Sequence, residues 1–236
     1  LETEKKFSTD SQSYFTVYSN GIVSSRDTWI YNSSTEVLEN NVKRTIDFYN
    51  SQVDDFLKAK ETNENLKADD FKNNDSSKIS WSSSLVPKLQ AGKKCSFDED
   101  CVFDTLYRPF FKQRYYFGNT LTHRRAQFDE IFPTRNQKNL LISISGLGGN
   151  KGFSAIITDV FADFQTVFNS QCFPLYWYEV IEPDQNSLFG DDDAQIVKHE
   201  AISDFILERA QSKYGNKVQR EDIFYYVYGI LHSKSY

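Results

Sequence analysis

Between Leu38 and Leu66 apolar side chains return every three or four residues, at Leu38, Val42, Ile46, Tyr49, Val53 and Phe56. That is the period of a helix with one buried face, and the intervening positions are Lys, Glu, Asp and Asn. Ser33, Ser34 and Thr35 offer an N-cap and Glu36 an acidic first turn. Upstream, Leu1 to Tyr18 reads as extended chain. Phe15, Val17, Ile22 and Val23 alternate as strands do, with Asn20-Gly21 expected as a tight turn between them. Downstream, Asp69–Ser84 is rich in Asp, Asn, Ser and Lys and reads as a loop. A short helix or turn follows near Leu85–Leu89, ending at Gly92. Strand-like runs come next: Cys101–Tyr107, Arg114–Phe117, Asn139–Ser145, Ile156–Phe164 and Cys172–Val180. Glu182–Asp193 is a polar, acidic loop. Two helices are expected to close the chain. The first, Gln195–Tyr214, collects Ile196, Ala201 or Ile202, Phe205 and Ile206 on one side and stops at Gly215. The second, Arg220–Ser233, opens on Glu221 and Asp222. A long N-terminal helix, a strand-rich mixed or antiparallel middle and two closing C-terminal helices together predict an α+β fold.

The length of 236 residues suits one large domain or two small ones. Lobes at 1–100 and 101–236 are the expected subdivision. The chain neither begins with Met nor contains one, so a piece of a larger polypeptide is expected. Its 20 Phe, 14 Tyr and 3 Trp imply an aromatic core or a rich contact surface. No apolar run approaches the roughly 20 residues of a membrane span, and no secretory leader pattern is present. Cys95, Cys101 and Cys172 form no dense framework, which fits a reducing, cytoplasmic setting. With no His near Cys95 and Cys101, no metal site is expected.

Net charge is −6, which at first sight argues against a polyanionic partner. The distribution reverses that inference. Between Thr105 and Ala155 stand Arg108, Lys112, Arg114, Arg124, Arg125, Arg135, Lys138 and Lys151 against only Asp129 and Glu130. That window carries +6, so the remainder of the chain carries −12. Local charge decides where a polyanion docks.

No catalytic set is legible. Ser145–Gly152, SGLGGNKG, follows a strand but has neither phosphate-loop nor dinucleotide spacing. It suits a turn whose backbone N–H groups meet an anion. His123, His199 and His232 are isolated from any nucleophile, and Asp191–Asp193 lacks the interleaving of a calcium loop. What remains is Tyr107–Arg125, YRPFFKQRYYFGNTLTHRR, where basic and aromatic residues are interspersed. Arg grips phosphates or reads guanine with two hydrogen bonds, and aromatics stack on bases. Ordinary strands with arginines at their edge would produce the same composition.

Six segments sharpen the picture: NGIVSSRDTWIYN (20–32), IDFYN (46–50), LYRPF (106–110), IFP (131–133), QCFPLYWYE (171–179) and EDIFYYVYGILHS (221–233). In identity and order they resemble the C-terminal target-recognition (specificity) region of type I single-polypeptide (ISP) restriction–modification enzymes. The resemblance implies a sequence-specific module for double-stranded DNA. It would present a short asymmetric site to an adenine-N6 methyltransferase domain and gate translocase and nuclease action within one polypeptide. It also implies SAM, ATP and Mg for the parent enzyme, with no cofactor, metal or catalytic residue in this stretch. LYRPF and EDIFYYVYGILHS, dominated by apolar and aromatic residues, are expected to hold the scaffold. The expected DNA contacts are Arg26, Lys112, Gln113, Arg114, Arg124, Arg125 and Lys151. Gln113 and Arg114 are candidates for base reading on a turn, and Lys112, Arg124, Arg125 and Lys151 for phosphates. The competing expectation is a docking domain of the same enzyme that touches DNA little.

Overall fold

A computed structural model describes residues 12–148, 152–181 and 194–234. In chain order the elements are β1 (Ser19–Asn20), α1 (Asp27–Ile30), β2 (Tyr31–Asn32), α2 (Thr35–Thr62), α3 (Ala68–Phe71), α4 (Val86–Gln90), β3 (Val102–Arg108) and β4 (Phe111–Tyr116). Then come α5 (Phe128–Ile131), β5 (Leu141–Ile144), β6 (Ala155–Thr158), β7 (Phe161–Ala162), β8 (Gln171–Pro174), β9 (Tyr176–Ile181), β10 (Gln195–Glu200), α6 (Asp204–Tyr214) and α7 (Arg220–Ile230). The fold is α+β. Two compact units are assembled from discontinuous segments. The first comprises Leu1–Gly21, Leu106–Phe110 and Ala126–Tyr236, and the second Ile22–Thr105 and Phe111–Arg125.

In the second unit the helical period yields α2, capped where the sequence offers a cap: the Ser34 hydroxyl accepts from the Val37 N–H at 3.4 Å. Its stripe of Leu38, Val42, Ile46, Tyr49, Val53 and Phe56 is buried. Tyr49, Val53 and Phe56 pack with Ala68, Ile79, Leu85 and Leu89, so the polar stretch after α2 is pinned by its few apolar residues. The Val, Ile, Leu and Phe side chains among them contribute roughly 1.5–3 kcal/mol each when fully buried. The Tyr49 hydroxyl donates to the Lys93 carbonyl at 2.7 Å. Antiparallel pairing of β2 with β4 brings Tyr31 against Tyr115 in a tilted contact, ring centroids 4.5 Å apart.

The first unit holds a four-stranded antiparallel sheet in the order β1-β8-β5-β6 and a two-stranded ribbon of β9 and β10. Ile142, Leu175, Ile202, Ile206, Ile223 and Phe224 form its core, with Phe15 packed against them. Helix α7 begins with a capping box between Gln219 and Asp222. Of its aromatic run, Phe224 is buried while Tyr225 and Tyr226 stay exposed.

Three local expectations are corrected. Asn20-Gly21 is not a hairpin turn: Ser19 and Asn20 pair with Cys172 and Gln171, and Val23 bridges to Arg124. Gly21 is needed for close approach, since a Cβ there would lie 2.6 Å from the Phe164 backbone. Gln195–Glu200 is a strand rather than the first turns of a helix, paired over its whole length with β9. The helix starts only where the Ser203 hydroxyl accepts from the Ile206 N–H. Cys172–Val180 is two strands, broken after Pro174. The acidic loop Glu182–Asp193 lies outside the described residues.

Candidate nucleic-acid interface

The basic window begins on β3 and β4. Their connection is two residues long, Pro109 and Phe110. Proline fixes a negative φ, and Phe110 has φ +62°. Those signs are the ones a type II turn uses, where the second central residue is normally glycine. The sequence pattern predicts Lys112, Gln113 and Arg114 on the turn. They lie instead inside β4, where Arg114 faces Asn32 of β2 in the register. The turn falls earlier because Pro109 cannot continue the ladder, whereas residues from Phe111 onward have a partner strand.

Arg114 forms an ion pair with Asp104, one residue upstream of the counted basic window. Both side chains are about half exposed, so the pair is weak and open to exchange for a phosphate or base edge. Gln113 is half-buried and Lys112 exposed. Arg108 is anchored within its own unit. Its guanidinium donates to Asp163 at 2.9 Å and lies 3.9 Å over the Tyr107 ring.

The loop after β4 collects the next cations. Arg124 is exposed, and its side chain has no hydrogen bond or ion pair among the described residues. Arg125 lies 3.6 Å over the Phe117 ring and donates to the Phe117 carbonyl. Lys88 donates to the carbonyl of Asn119. The His123 Nδ1 lies 3.0 Å from the Ser84 hydroxyl. Burial, followed by Arg26 among the neighbouring charges, lowers the Lys88 ammonium. Burial, then Arg124 and Arg26, lowers the His123 imidazolium. The second unit therefore concentrates positive charge around this loop. Lys88 carried no sequence signal, because its approach depends on how α4 packs.

The sequence makes Arg26 a candidate DNA contact, but the structure places it inside. It is 1 % exposed. Its Nη1 donates to the carbonyls of Ser24 and Leu121 at 3.2 and 2.6 Å, and its Nη2 to the Ser82 hydroxyl at 2.6 Å. No carboxylate pairs with it among the described residues, and its Nε has no partner there. Burial pushes the guanidinium down to about 10, against smaller opposing effects of Tyr115 and Tyr49. A buried arginine cannot reach phosphate; it binds three chain segments by their oxygens. Lys151 lies outside the described residues, while Arg135 and Lys138 are exposed in the first unit.

Among the described residues no group of three or more His, Cys, Asp or Glu side chains is arranged to hold a metal ion. Burial raises the thiols of Cys101 and Cys172, to about 11 and about 12, so both stay protonated at neutral pH. His199 stacks on Trp177 at 4.2 Å and lies 3.2 Å from Glu179. None of the described helices is long and apolar enough to cross a membrane.

The family model described as the Type ISP C-terminal specificity domain matches residues 13–236. No curated protein matches the chain. Among solved structures it is similar to a nuclease-deletion mutant of the Type ISP restriction–modification enzyme LlaGI in complex with a DNA substrate mimic. That match has 30% identity and a TM-score of 0.75 over 96% of this chain and 16% of that one. It is similar to DrdV in its DNA complex, with 26% identity and a TM-score of 0.78 over 99% of this chain and 21% of that one. It is also similar to the ATP-dependent Type ISP restriction–modification enzyme LlaBIII bound to DNA, with 30% identity and a TM-score of 0.75 over 95% and 14%. The chain thus spans a fifth or less of the length of LlaGI and LlaBIII.

Proposed function

The chain belongs to the Type ISP C-terminal specificity domain family, and from that premise we propose that it recognises a short asymmetric site in double-stranded DNA. On this reading it presents the site to an adenine-N6 methyltransferase domain and gates translocase and nuclease action in the same cytoplasmic polypeptide. SAM, ATP and Mg serve those other domains. The observation that carries the reading is the family match over nearly the whole chain, together with neighbours of the same fold bound to DNA.

The site chemistry supports it. From Thr105 to Phe128 there is no acidic residue; of the cations in that stretch Arg108 is held by buried Asp163, Arg114 by the exposed Asp104, and Arg124 is open to a polyanion. Arg124 stands free to take a phosphate, with Arg125, Lys112 and Lys151 as further phosphate contacts. Arg114 exchanges its exposed Asp104 partner for a base edge, and Gln113 beside it supplies the amide that suits adenine. Arg26 holds the loop that carries Arg124 and makes no DNA contact.

The test is selection of bound duplexes from a randomised pool, followed by titration of the selected site across ionic strength. One enriched asymmetric motif is expected, with a log–log salt slope of magnitude about 3–5, since each phosphate contact contributes roughly 0.9. No enriched motif together with a flat salt response would overturn the reading. A docking role on the enzyme's other domains has one observation of its own. Tyr214 and Tyr226 are exposed on α6 and α7, on a groove also lined by Ile206, Ala210 and Val227.

A further inference from the structure

Phe110 is 91 % exposed, on the last residue of the turn between β3 and β4. A solvated phenylalanine forgoes the burial that aromatic residues ordinarily gain. Its backbone is also in the left-handed region, at φ +62°, where glycine would form the same turn without steric cost. The turn therefore needs neither the ring nor a Cβ. An unfavourable backbone conformation that carries an unburied aromatic is the observation that points to a ligand.

The base beneath this tip is held firmly in the first unit. The Leu106 carbonyl accepts from the Asp163 N–H at 3.3 Å and from the Thr166 hydroxyl at 2.5 Å. Arg108 is tied to buried Asp163 and stacked on Tyr107. The ring is thus presented on a braced strand end. Its sequence neighbours are Arg108 and Lys112, within the stretch that contains no acid. Arg108 is already matched by Asp163, so Lys112, exposed, is the charge that favours an anionic partner, which the DNA-recognition reading makes the duplex. The groups of a duplex that a planar apolar ring can meet, once phosphates have been drawn in, are the faces of its bases.

We infer that Phe110 is a wedge that inserts against a base step of the bound duplex and partly unstacks it. Apolar side chains inserted this way kink the duplex, and the protein contacts so gained offset the lost stacking. An opened step beside the recognised site lowers the cost of extruding a base for chemistry. The inference rests on the DNA-recognition reading above and assigns a role to a residue of the LYRPF segment, whose apolar and aromatic composition predicts a scaffold role.

The experiment uses the protein at its full natural length and the duplex that it selects. Fluorescent analogues replace the bases singly at every position, 2-aminopurine at purines and pyrrolocytosine at pyrimidines. The wild type should brighten one step severalfold on binding. Phe110→Ala and Phe110→Gly should lose that rise and bind about tenfold more weakly, in line with the loss of one aromatic–base stack. Phe110→Trp should keep the rise. Circular dichroism should be the same for all, because the side chain packs on nothing. Tight wild-type binding with no brightened position overturns the wedge and leaves DNA recognition standing. So does a rise that survives in Phe110→Gly, or a Phe110 variant that loses only contact with another protein domain. Failure of the wild type to bind any duplex overturns both.

Discussion

The guanidinium of Arg26 donates a 2.6 Å hydrogen bond to the backbone carbonyl of Leu121, 95 positions away in the chain. Three residues beyond that carbonyl stands Arg124, the cation left free in the same loop. One buried side chain therefore sets where an exposed one sits. The contact also explains why a charge is tolerated in the core: the guanidinium's donors meet the carbonyls of Ser24 and Leu121 and the hydroxyl of Ser82.

Replacing Arg26 should destabilise the fold more than any of the proposed DNA contacts would. Arg26→Met removes the donors and leaves buried carbonyls unsatisfied, at a cost of about 3 kcal/mol. Arg26→Lys should recover only part of this, because an ammonium lacks the planar fork that reaches three oxygens. Urea denaturation read by tyrosine and tryptophan fluorescence measures it. A midpoint unchanged in Arg26→Met would show that the hydrogen bonds contribute nothing net.

Arg114 and Arg124 should separate base reading from phosphate contact. Arg114→Ala is expected to cost about 1–3 kcal/mol on the selected duplex and little on a scrambled one. Arg124→Ala should weaken both alike and reduce the salt slope by about 1. Paired titrations on the two duplexes decide. Equal losses for both variants on both duplexes would remove base reading from β4.

Acid should destabilise the second unit through His123. Burial and the nearby Arg124 and Arg26 lower its folded-state pKa below the ordinary imidazole value of about 6.5. The unfolded chain then binds the proton first. Stability contributed by neutral His123 is present above about pH 6.5 and is lost as pH falls through the depressed value. His123→Gln should flatten this part of the stability profile, as measured by thermal melts from pH 7.5 to 5. An identical slope in the variant would assign the acid sensitivity to other groups.

Phe110→Gly should make the protein more stable while making it a poorer DNA binder. The left-handed φ costs a residue with a Cβ about 1–2 kcal/mol, and glycine's greater freedom in the unfolded chain returns part of that, leaving a gain of up to about 1 kcal/mol. A higher melting temperature together with weaker binding is the expected pair of results. Lower stability would mean that the ring packs on something in solution.

Some of this was determined by the sequence alone. The stripe from Leu38 to Phe56 and the cap at Ser34 were legible because helix periodicity and capping are set by residues within a few positions of one another. The basic window was legible because charge is additive along the chain. The six segments carried the family. Other features depend on contacts between residues far apart. Gln195–Glu200 has a helix-compatible pattern, yet it is a strand because β9 offers six partners in register. Gly21 looks like a turn residue, yet it serves a close approach to the Phe164 backbone. Arg26 reads as a surface cation, and only the meeting of Ser24, Ser82 and Leu121 gives it a place to be buried. Phe110 reads as core, and only the two-residue turn leaves it in solvent. Local periodicity reports what a segment can form, while long-range pairing and burial decide which option lies lowest in free energy.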